Sequence, residues 1–284
     1  MAIGRVLIVG ADGMLGRDML NFLSPNYDVR GADIDEVDIT VQASVDEFLP
    51  LQRPDIVINC AGYTNVDGCE SDPELAFRIN ADGAGNLARG CKELGIPLVQ
   101  ISTDFVFDGA KETPYTEDDN PNPISKYAES KLAGEIQVQE VLDDYLIVRS
   151  TWVFGFHDKS FVRFVLRKTA EGGPVPVYSM QRACPTYSVD LGEGIMNLVE
   201  KSARGIYNFV NSGNCNRHEF VNEIFDIMGY DTSRIELMKT RPASWTAARP
   251  GTSILNTEKY SRLTGTTPRS WQEALRDCLE KETQ

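Results

Sequence analysis

The fold of this chain is decided by Val6-Leu7-Ile8-Val9-Gly10-Ala11-Asp12-Gly13-Met14-Leu15-Gly16. The apolar run ends at Gly10, and a helical pattern follows it as far as Leu23. A strand, a glycine-rich turn and a helix in this order predict a dinucleotide-binding unit. Gly10 would make the tight turn, Gly13 would let the backbone approach a pyrophosphate, and Gly16 would let the helix pack on the strand. The alternative is a plain glycine turn in another α/β domain. The predicted cofactor contacts in this stretch are Gly10, Asp12, Gly13, Met14, Leu15 and Gly16.

An acidic residue follows at the distance expected for a contact with the adenosine ribose of a cofactor. Asp33 comes directly after an alternation of apolar and polar residues between Tyr27 and Ala32, about 20 residues past the glycines. A carboxylate at this point favours NAD, and no arginine follows immediately to receive a 2′-phosphate. Asp38 and Ile39 are predicted to contact the adenine. An acidic surface turn is the alternative for this region.

Strands and helices alternate through the first half of the chain. Four apolar runs have the length and composition of buried parallel strands. Between them lie segments with a helical pattern. This alternation predicts the α/β class with a doubly wound, Rossmann-like parallel sheet. The predicted strands include Val6–Val9, Ile56–Cys60, Leu98–Ser102 and Leu146–Ser150, and the predicted helices are Ser44–Leu51, Pro73–Leu94 and Ser125–Val141.

Small and hydroxyl-bearing residues follow two of these strands. Ala61 and Gly62 would let a cofactor lie close to the backbone, and Ser102 and Thr103 would present hydroxyl groups. Because ligands of open α/β sheets bind beyond the carboxyl ends of the strands, both stretches are expected to face one crevice.

The catalytic prediction rests on Tyr127 and Lys131. Four residues apart on a helix, they share one face. A nearby ammonium favours phenolate, so we expect Lys131 to lower the pKa of Tyr127. A tyrosine tuned in this way exchanges a proton with a substrate oxygen near neutral pH, and Thr103 or Ser102 would hold that oxygen. The alternative is an exposed helix face without a function.

The pattern loosens after Ser150. Residues 1–150 are predicted to form the dinucleotide-binding domain, to which residues 205–212 return as a strand. Residues 151–284 are predicted to form mostly a smaller substrate-binding lobe, with Gly172–Pro176 as a turn or loop. Further helices are predicted at Val189–Lys201, Arg217–Met228 and Ser270–Lys281.

The charge and the cysteine and histidine content of the chain limit the kinds of binding partner and site that it can have. The net charge is -14, from 42 acidic and 28 basic residues, which argues against nucleic acid or an anionic membrane as a partner. Six cysteines without a C-x-x-C motif, and no signal peptide, indicate reduced thiols in the cytoplasm. His157 and His218 have no ligand-spaced partner, so no metal site is predicted and a Ser-His-Asp hydrolase is poorly supported.

Taken together, these motifs resemble the extended short-chain dehydrogenases/reductases and, among them, the dTDP-4-dehydrorhamnose reductase family. The resemblance runs nearly end to end. It is carried by the glycine motif from Gly10, Asn59 to Asp67, Ile79-Asn80-Ala81, Ser102 to Gly109, Tyr127 to Glu135, Arg149 to Gly155, Pro185-Thr186, Arg249-Pro250-Gly251 and Leu255 to Lys259.

The resemblance implies roles for these residues. NADPH or NADH would deliver hydride to C4 of a dTDP-4-dehydro-6-deoxy sugar, and Tyr127 would protonate the C4 oxygen. Lys131 would also hold the nicotinamide ribose, and Thr103 would bind the reacting oxygen. Tyr63 joins the cofactor contacts Ala61 and Gly62. The implied substrate contacts are Thr64, Val66, Asn80, Thr103, Asp104, Trp152, Thr186 and Arg249.

Three of these residues could have purely structural roles instead, and the protein could have other functions. Asn80 would be a surface polar residue, Trp152 a core residue and Arg249 part of a surface ion pair. A 4,6-dehydratase would carry a second acid where Phe105 follows Asp104. An epimerase, a reductase of another 4-keto sugar and a non-catalytic cofactor-binding regulatory subunit stay open. A monomer or a homodimer is expected, with a dTDP-sugar as the partner molecule.

Overall fold

The computed structural model describes residues 4–155, 157 and 160–280. Thirteen strands lie in this part of the chain, and only the first five and the tenth are longer than three residues. In chain order they are β1 Arg5–Val9, β2 Asp28–Ala32, β3 Ile56–Asn59, β4 Leu98–Thr103, β5 Tyr145–Ser150, β6 Val153–Phe154, β7 Val175–Val177, β8 Arg182–Ala183, β9 Thr186–Tyr187, β10 Gly205–Asn208, β11 Cys215–Asn216, β12 Ile235–Leu237 and β13 Thr252–Ser253.

Eleven α-helices connect these strands. They are α1 Met14–Leu23, α2 Gln42–Gln52, α3 Val66–Ser71, α4 Pro73–Phe77, α5 Gly83–Leu94, α6 Lys126–Val141, α7 Phe161–Ala170, α8 Ser188–Glu200, α9 Arg217–Met228, α10 Glu258–Thr264 and α11 Trp271–Glu280. Short 3₁₀ turns lie at Asp104–Val106 and Thr232–Arg234.

The six longer strands form one parallel sheet in the order β10-β5-β4-β3-β1-β2. Apolar side chains on both of its faces are buried: one core lies under α1 and α8, the other under α2, α5 and α6. This burial on two faces explains why the strands appear in the sequence as continuous apolar runs. The predicted α/β fold with a doubly wound parallel sheet is confirmed. The order of strands reverses between β1 and β3, which is where such sheets bind ligands.

The predicted helix Pro73–Leu94 is interrupted. Between α4 and α5 the backbone forms a π-helix at Arg78–Asp82. The wider turn carries Asn80 into the interior, where 2 % of its surface is exposed. Such π-turns occur frequently at functional sites. The prediction of one regular helix is therefore wrong at this point.

A further apolar core lies beyond β5. It joins α7, α9 and α11 to short strands of three small sheets, β11-β8-β13, β12-β7 and β6-β9. We call the described residues of 151–187, 211–256 and 268–280 the lobe. Val175–Val177 is a strand paired in parallel with β12, so the loop predicted for Gly172–Pro176 ends at Pro174.

The chain crosses between the two parts more than once. Strand β10 pairs with β5 at the edge of the main sheet, and α8 packs on α1 against the same sheet. We propose that both elements belong with the dinucleotide-binding part and that residues 1–150 form most of it. Within the described residues, no helix has both the length and the apolar character to cross a membrane.

Candidate active site

The glycine loop closes tightly at the end of β1. Gly10 has a φ of +80°, which favours glycine, and its amide donates to the Ala32 carbonyl at 2.9 Å. A side chain at Gly10 would come within 2.6 Å of the Ala61 Cα, and one at Gly16 within 2.8 Å of the Ala11 Cα. The two glycines are therefore required by the close packing of strand, loop and helix. Gly13 precedes α1, whose first residues are Met14 and Leu15, so free amide groups face the space beyond the loop.

Asp33 is bound to this loop. Its carboxylate accepts hydrogen bonds from the amide of Asp12 at 2.9 Å and from the amide of Ile34 at 2.8 Å. Asp38 accepts from the amide and the hydroxyl group of Thr40, which fixes the following turn. A carboxylate held in this position can accept hydrogen bonds from ribose hydroxyls.

A cleft of about 640 Å³ opens beside these residues, between the ends of β1 and β3. Ile39 is only 5 % exposed and forms part of its wall, and Arg78 of the π-helix also lines it. The predicted cofactor residues that line the cleft together are Gly10, Asp12, Gly13, Asp33, Asp38, Ile39, Ala61 and Gly62.

Thr103 and Tyr127 meet at the end of β4. The Thr103 side chain lies close enough to Tyr127 to influence its pKa, and the Thr103 hydroxyl donates to a carboxylate oxygen of Asp104 at 3.1 Å. The ring of Phe105 packs edge-on against Tyr127, with 5.7 Å between centroids. Burial raises the pKa of Tyr127 above its ordinary value, and the neighbouring Thr103 hydroxyl opposes this rise. Tyr127 is therefore a neutral phenol at neutral pH, the form that can donate a proton.

Lys131 is buried one helical turn after Tyr127. Its Nζ donates to the Ile101 carbonyl at 2.7 Å, and burial lowers its pKa to about 8, against an opposing influence of Glu135. Lys131 is not among the causes that shift the Tyr127 pKa. The lowering of the Tyr127 pKa by Lys131 therefore stays a prediction.

Asn80 links the loop after β3 to the catalytic helix. Its side chain accepts from the Tyr63 amide at 2.8 Å and donates to the Tyr63 carbonyl at 3.1 Å and to the Ser130 hydroxyl at 2.9 Å. Ser130 in turn donates to the carbonyl of Tyr127. Asn80 is therefore not a surface residue, and it fixes the position of α6 relative to Tyr63.

A buried ion pair that the sequence reasoning did not single out lies beneath the site. Glu135 and Arg149 pair through two hydrogen bonds of 2.9 and 2.6 Å, and Glu135 also accepts from Ser102 at 2.5 Å. Glu135 lies four residues after Lys131, so the same helical spacing that joined Tyr127 to Lys131 could have pointed to it. The pair ties α6 to β4 and β5.

Asp104 is buried next to Thr103. Burial raises its pKa to about 6, while hydrogen bonds from Ser253 and Thr103 work in the opposite direction. Ser253 belongs to β13, so this carboxyl group joins the catalytic strand end to the lobe.

Trp152 lies at the junction with the lobe. Its φ of +43° is unusual for a residue with a side chain, and its ring is partly buried against the core of the lobe. The guanidinium carbon of Arg217 lies 3.6 Å from the ring centroid. The structure thus gives Trp152 a packing role as well as a place next to the catalytic strand ends.

The remaining predicted substrate residues are distributed differently. Thr64 is exposed in the loop after β3, and Val66 begins α3. Arg249 is held in two hydrogen bonds by Asp67, at 2.6 and 3.1 Å, and packs over Trp245. Thr186 is fully buried, and its hydroxyl donates to the Cys184 carbonyl. Its side chain therefore has no surface to offer a ligand in this conformation.

The parallel sheet, the glycine loop and the Thr–Tyr–Lys group together are typical of the short-chain dehydrogenase/reductase class. The chain belongs to the family described as RmlD substrate binding domain, which matches residues 4–284. It is 36% identical over 287 residues to a dTDP-4-dehydrorhamnose reductase of Streptomyces griseus, covering 97% of this chain and 93% of that protein.

Two further proteins are similar along their whole length. A probable dTDP-4,6-dihydroxy-2-methyloxan-3-one 4-ketoreductase of Streptomyces antibioticus is 36% identical over 279 residues, covering 97% of this chain and 94% of that protein. The crystal structure of a dTDP-4-dehydrorhamnose reductase from Bacillus anthracis, in complex with NADP, superimposes with a TM-score of 0.92 at 37% identity over 99% of both chains.

Proposed function

We propose that this protein reduces the C4 keto group of dTDP-4-dehydro-6-deoxy-L-mannose to give dTDP-L-rhamnose, with NADPH or NADH as the hydride donor. One observation carries the proposal: Tyr127, beside Thr103 and one helical turn from Lys131, lies at the carboxyl end of the sheet that also bears the glycine loop. The names of the relatives supply the substrate class.

The residues of the cleft fit a dinucleotide. A Cβ at Gly10 would close the loop onto Ala61, and the amide groups at the start of α1 are available for a pyrophosphate. Asp33 would bind the adenosine ribose, and Ala61, Gly62 and Tyr63 would lie along the rest of the cofactor. Bound there, the nicotinamide supplies the hydride.

Tyr127 and Thr103 act on the oxygen that receives the negative charge. Thr103 would orient the C4 carbonyl and Tyr127 would give it a proton, so both hydroxyl groups act where charge develops in the transition state. Lys131 would meet the nicotinamide ribose and Tyr127 through its ammonium group. With a pKa of about 8, Lys131 is mostly charged at neutral pH and loses its charge as the pH rises through that value.

A reductase of a different 4-keto deoxy sugar is the second candidate. The Streptomyces antibioticus relative, which is named a probable ketoreductase of another dTDP-sugar, is as similar as the first relative. Both reductions would use the same Thr, Tyr and Lys, because the sugar differs away from the reacting carbonyl.

The proposal is tested by mixing the protein with enzymatically prepared dTDP-4-dehydro-6-deoxy-L-mannose and following nicotinamide absorbance with NADPH and NADH in turn. Sugar-dependent oxidation and formation of dTDP-L-rhamnose are expected. Cofactor binding without oxidation of any 4-keto nucleotide sugar would instead support a regulatory subunit. Gel filtration and cell fractionation would test the proposed monomer or homodimer in the cytoplasm.

A further inference from the structure

An arginine without an ion partner lies where the lobe meets the catalytic strand ends. The Arg217 guanidinium carbon lies 3.6 Å from the ring centroid of Trp152 and 4.4 Å from that of Phe161. Within the part of the chain that the structure describes, this guanidinium makes neither a hydrogen bond nor an ion pair. Its contacts are therefore with aromatic faces alone.

Stacking of this kind leaves the hydrogen-bonding groups of an arginine available. A guanidinium is planar, and its five N–H bonds lie in that plane. Aromatic rings that cover its faces attract the charge and remove conformational freedom, but they do not use the donors. Arg217 is thus a preorganised cation with its edge unoccupied. Such an edge matches the two-oxygen geometry of a phosphate group.

Three other arginines of the lobe have carboxylate partners, unlike Arg217. Arg249 pairs with Asp67, Arg182 with Glu219, and Arg269 with Asp190, each at 3.0 Å or less. Burial lowers the pKa of Arg217 to about 10, partly offset by Cys215 and Asp104, so it stays charged at neutral pH. A partly buried charge without an ion-pair partner is costly, and an anion brought by a ligand would reduce that cost.

The location of Arg217 indicates which ligand it would bind. Trp152, on which it packs, lies two residues after Ser150, and Ser150 is paired with Thr103. The Asp104 carboxyl group is close enough to influence Arg217 electrostatically. The other arginine considered for a phosphate, Arg249, already has both of its outer nitrogens engaged by Asp67. Arg217 is therefore a cation with free donors that packs, through Trp152, beside the strand ends that carry Thr103 and Ser150.

We propose that Arg217 binds the diphosphate of the nucleotide-sugar substrate through the edge of its guanidinium, with Trp152 and Phe161 holding it in place. The proposal rests on the proposed function for the identity of the sugar. It does not rest on turnover, because a nucleoside diphosphate without a sugar carries the same anionic group.

The test measures the affinity of the NADP-loaded protein for dTDP and for thymidine by titration calorimetry. Arg217→Gln and Arg217→Met remove the charge and keep a side chain between the rings. Both are expected to weaken dTDP binding by about tenfold or more and to leave thymidine binding unchanged. Arg217→Lys should recover part of the loss. Arg182→Gln, which removes a paired arginine of the same lobe, is the matched control and should bind dTDP like wild type.

The proposal is overturned if a charge-removing variant that still binds NADP has a dTDP affinity within twofold of wild type, or if its affinity for thymidine falls by the same factor. Failure of the wild-type protein to bind dTDP overturns it as well. If the wild type binds dTDP through Arg217 but reduces no 4-keto sugar, only the proposed reductase function fails. If it reduces the sugar while Arg217→Gln binds dTDP normally, only the role of Arg217 fails.

Discussion

The two parts of the molecule position their functional groups in different ways. In the dinucleotide-binding part, Thr103, Tyr127 and Lys131 are held by strands and a helix of five residues or more, with backbone ladders and a buried ion pair beneath them. In the lobe the strands are only two or three residues long, and side-chain contacts such as that of Arg249 with Asp67 join the lobe to the dinucleotide-binding part. We infer from this difference that the proposed chemistry depends on rigid backbone, whereas the proposed recognition of the sugar nucleotide depends on side-chain pairs that substitution can alter.

The substitution with the largest expected effect tests whether the reacting groups all lie in the dinucleotide-binding part. Tyr127→Phe removes the proton donor and keeps the ring that packs against Phe105. We expect kcat to fall roughly 10²- to 10⁴-fold, with little change in NADPH affinity. Stopped-flow turnover and fluorescence titration with NADPH would measure both. Tyr178→Phe, which changes an aromatic residue of the lobe, is the control. Turnover of Tyr127→Phe near the wild-type rate would remove Tyr127 from the mechanism.

Substitution of one glycine in each part distinguishes the cost of backbone strain from the cost of close packing. Gly10 and Gly172 have nearly the same φ, +80° and +83°, but a Cβ added at Gly10 would meet atoms within 4 Å, whereas one added at Gly172 would meet none. Gly10→Ala should cost about 1–3 kcal/mol more than Gly172→Ala, because overpacking adds to the shared strain. It should also abolish measurable NADPH binding. Urea unfolding of both variants measures the two losses of stability. Equal losses would show that the backbone around Gly10 moves to accommodate the added Cβ.

The same contrast explains what the sequence could predict. The strands of the main sheet are buried on two faces, so Val6–Val9 and Leu98–Ser102 appeared as apolar runs, and the glycine spacing located the cofactor loop. A strand of two residues has no period to detect, and the partner of Arg249 lies 182 residues away in sequence. The π-helix at Arg78–Asp82 was missed because a helical pattern does not record one extra residue in a turn.

Cofactor preference offers a smaller effect within the first part. Asp33 points its carboxylate at the amides of Asp12 and Ile34, in the cleft where the adenosine ribose is proposed to lie. A 2′-phosphate there would be repelled by the carboxylate, by ~1 kcal/mol at 4 Å in water. Asp33→Ser should therefore raise the ratio of kcat/KM for NADPH over NADH by roughly fivefold. Steady-state kinetics with both cofactors measures it, and Asp28→Ser, at an exposed position of β2, is the control. An unchanged ratio would place the ribose elsewhere.

The smallest expected effect concerns the contact that joins the two parts. Burial tends to raise the pKa of Asp67, but hydrogen bonds from Arg249 and from the Ala247 and Thr246 amides prevail and hold it below its usual value. A carboxylate with a lowered folded-state pKa stabilises the native state above its unfolded pKa of about 3.9, and this contribution is lost as the pH falls through the lower folded value.

Asp67→Asn keeps the shape and removes the charge from this contact. We expect KM for the sugar nucleotide to rise roughly threefold with kcat within a factor of two, because a partly exposed ion pair contributes ~1 kcal/mol or less. The variant should also lose less stability than wild type between pH 5 and about pH 3, measured by thermal unfolding, since it has no carboxylate to protonate. Asp28→Asn removes an exposed ion pair from the sheet and should leave KM unchanged. If kcat of Asp67→Asn fell as steeply as that of Tyr127→Phe, the separation of chemistry from recognition would be wrong, because a side-chain pair between the two parts would then be setting the geometry of the reacting groups.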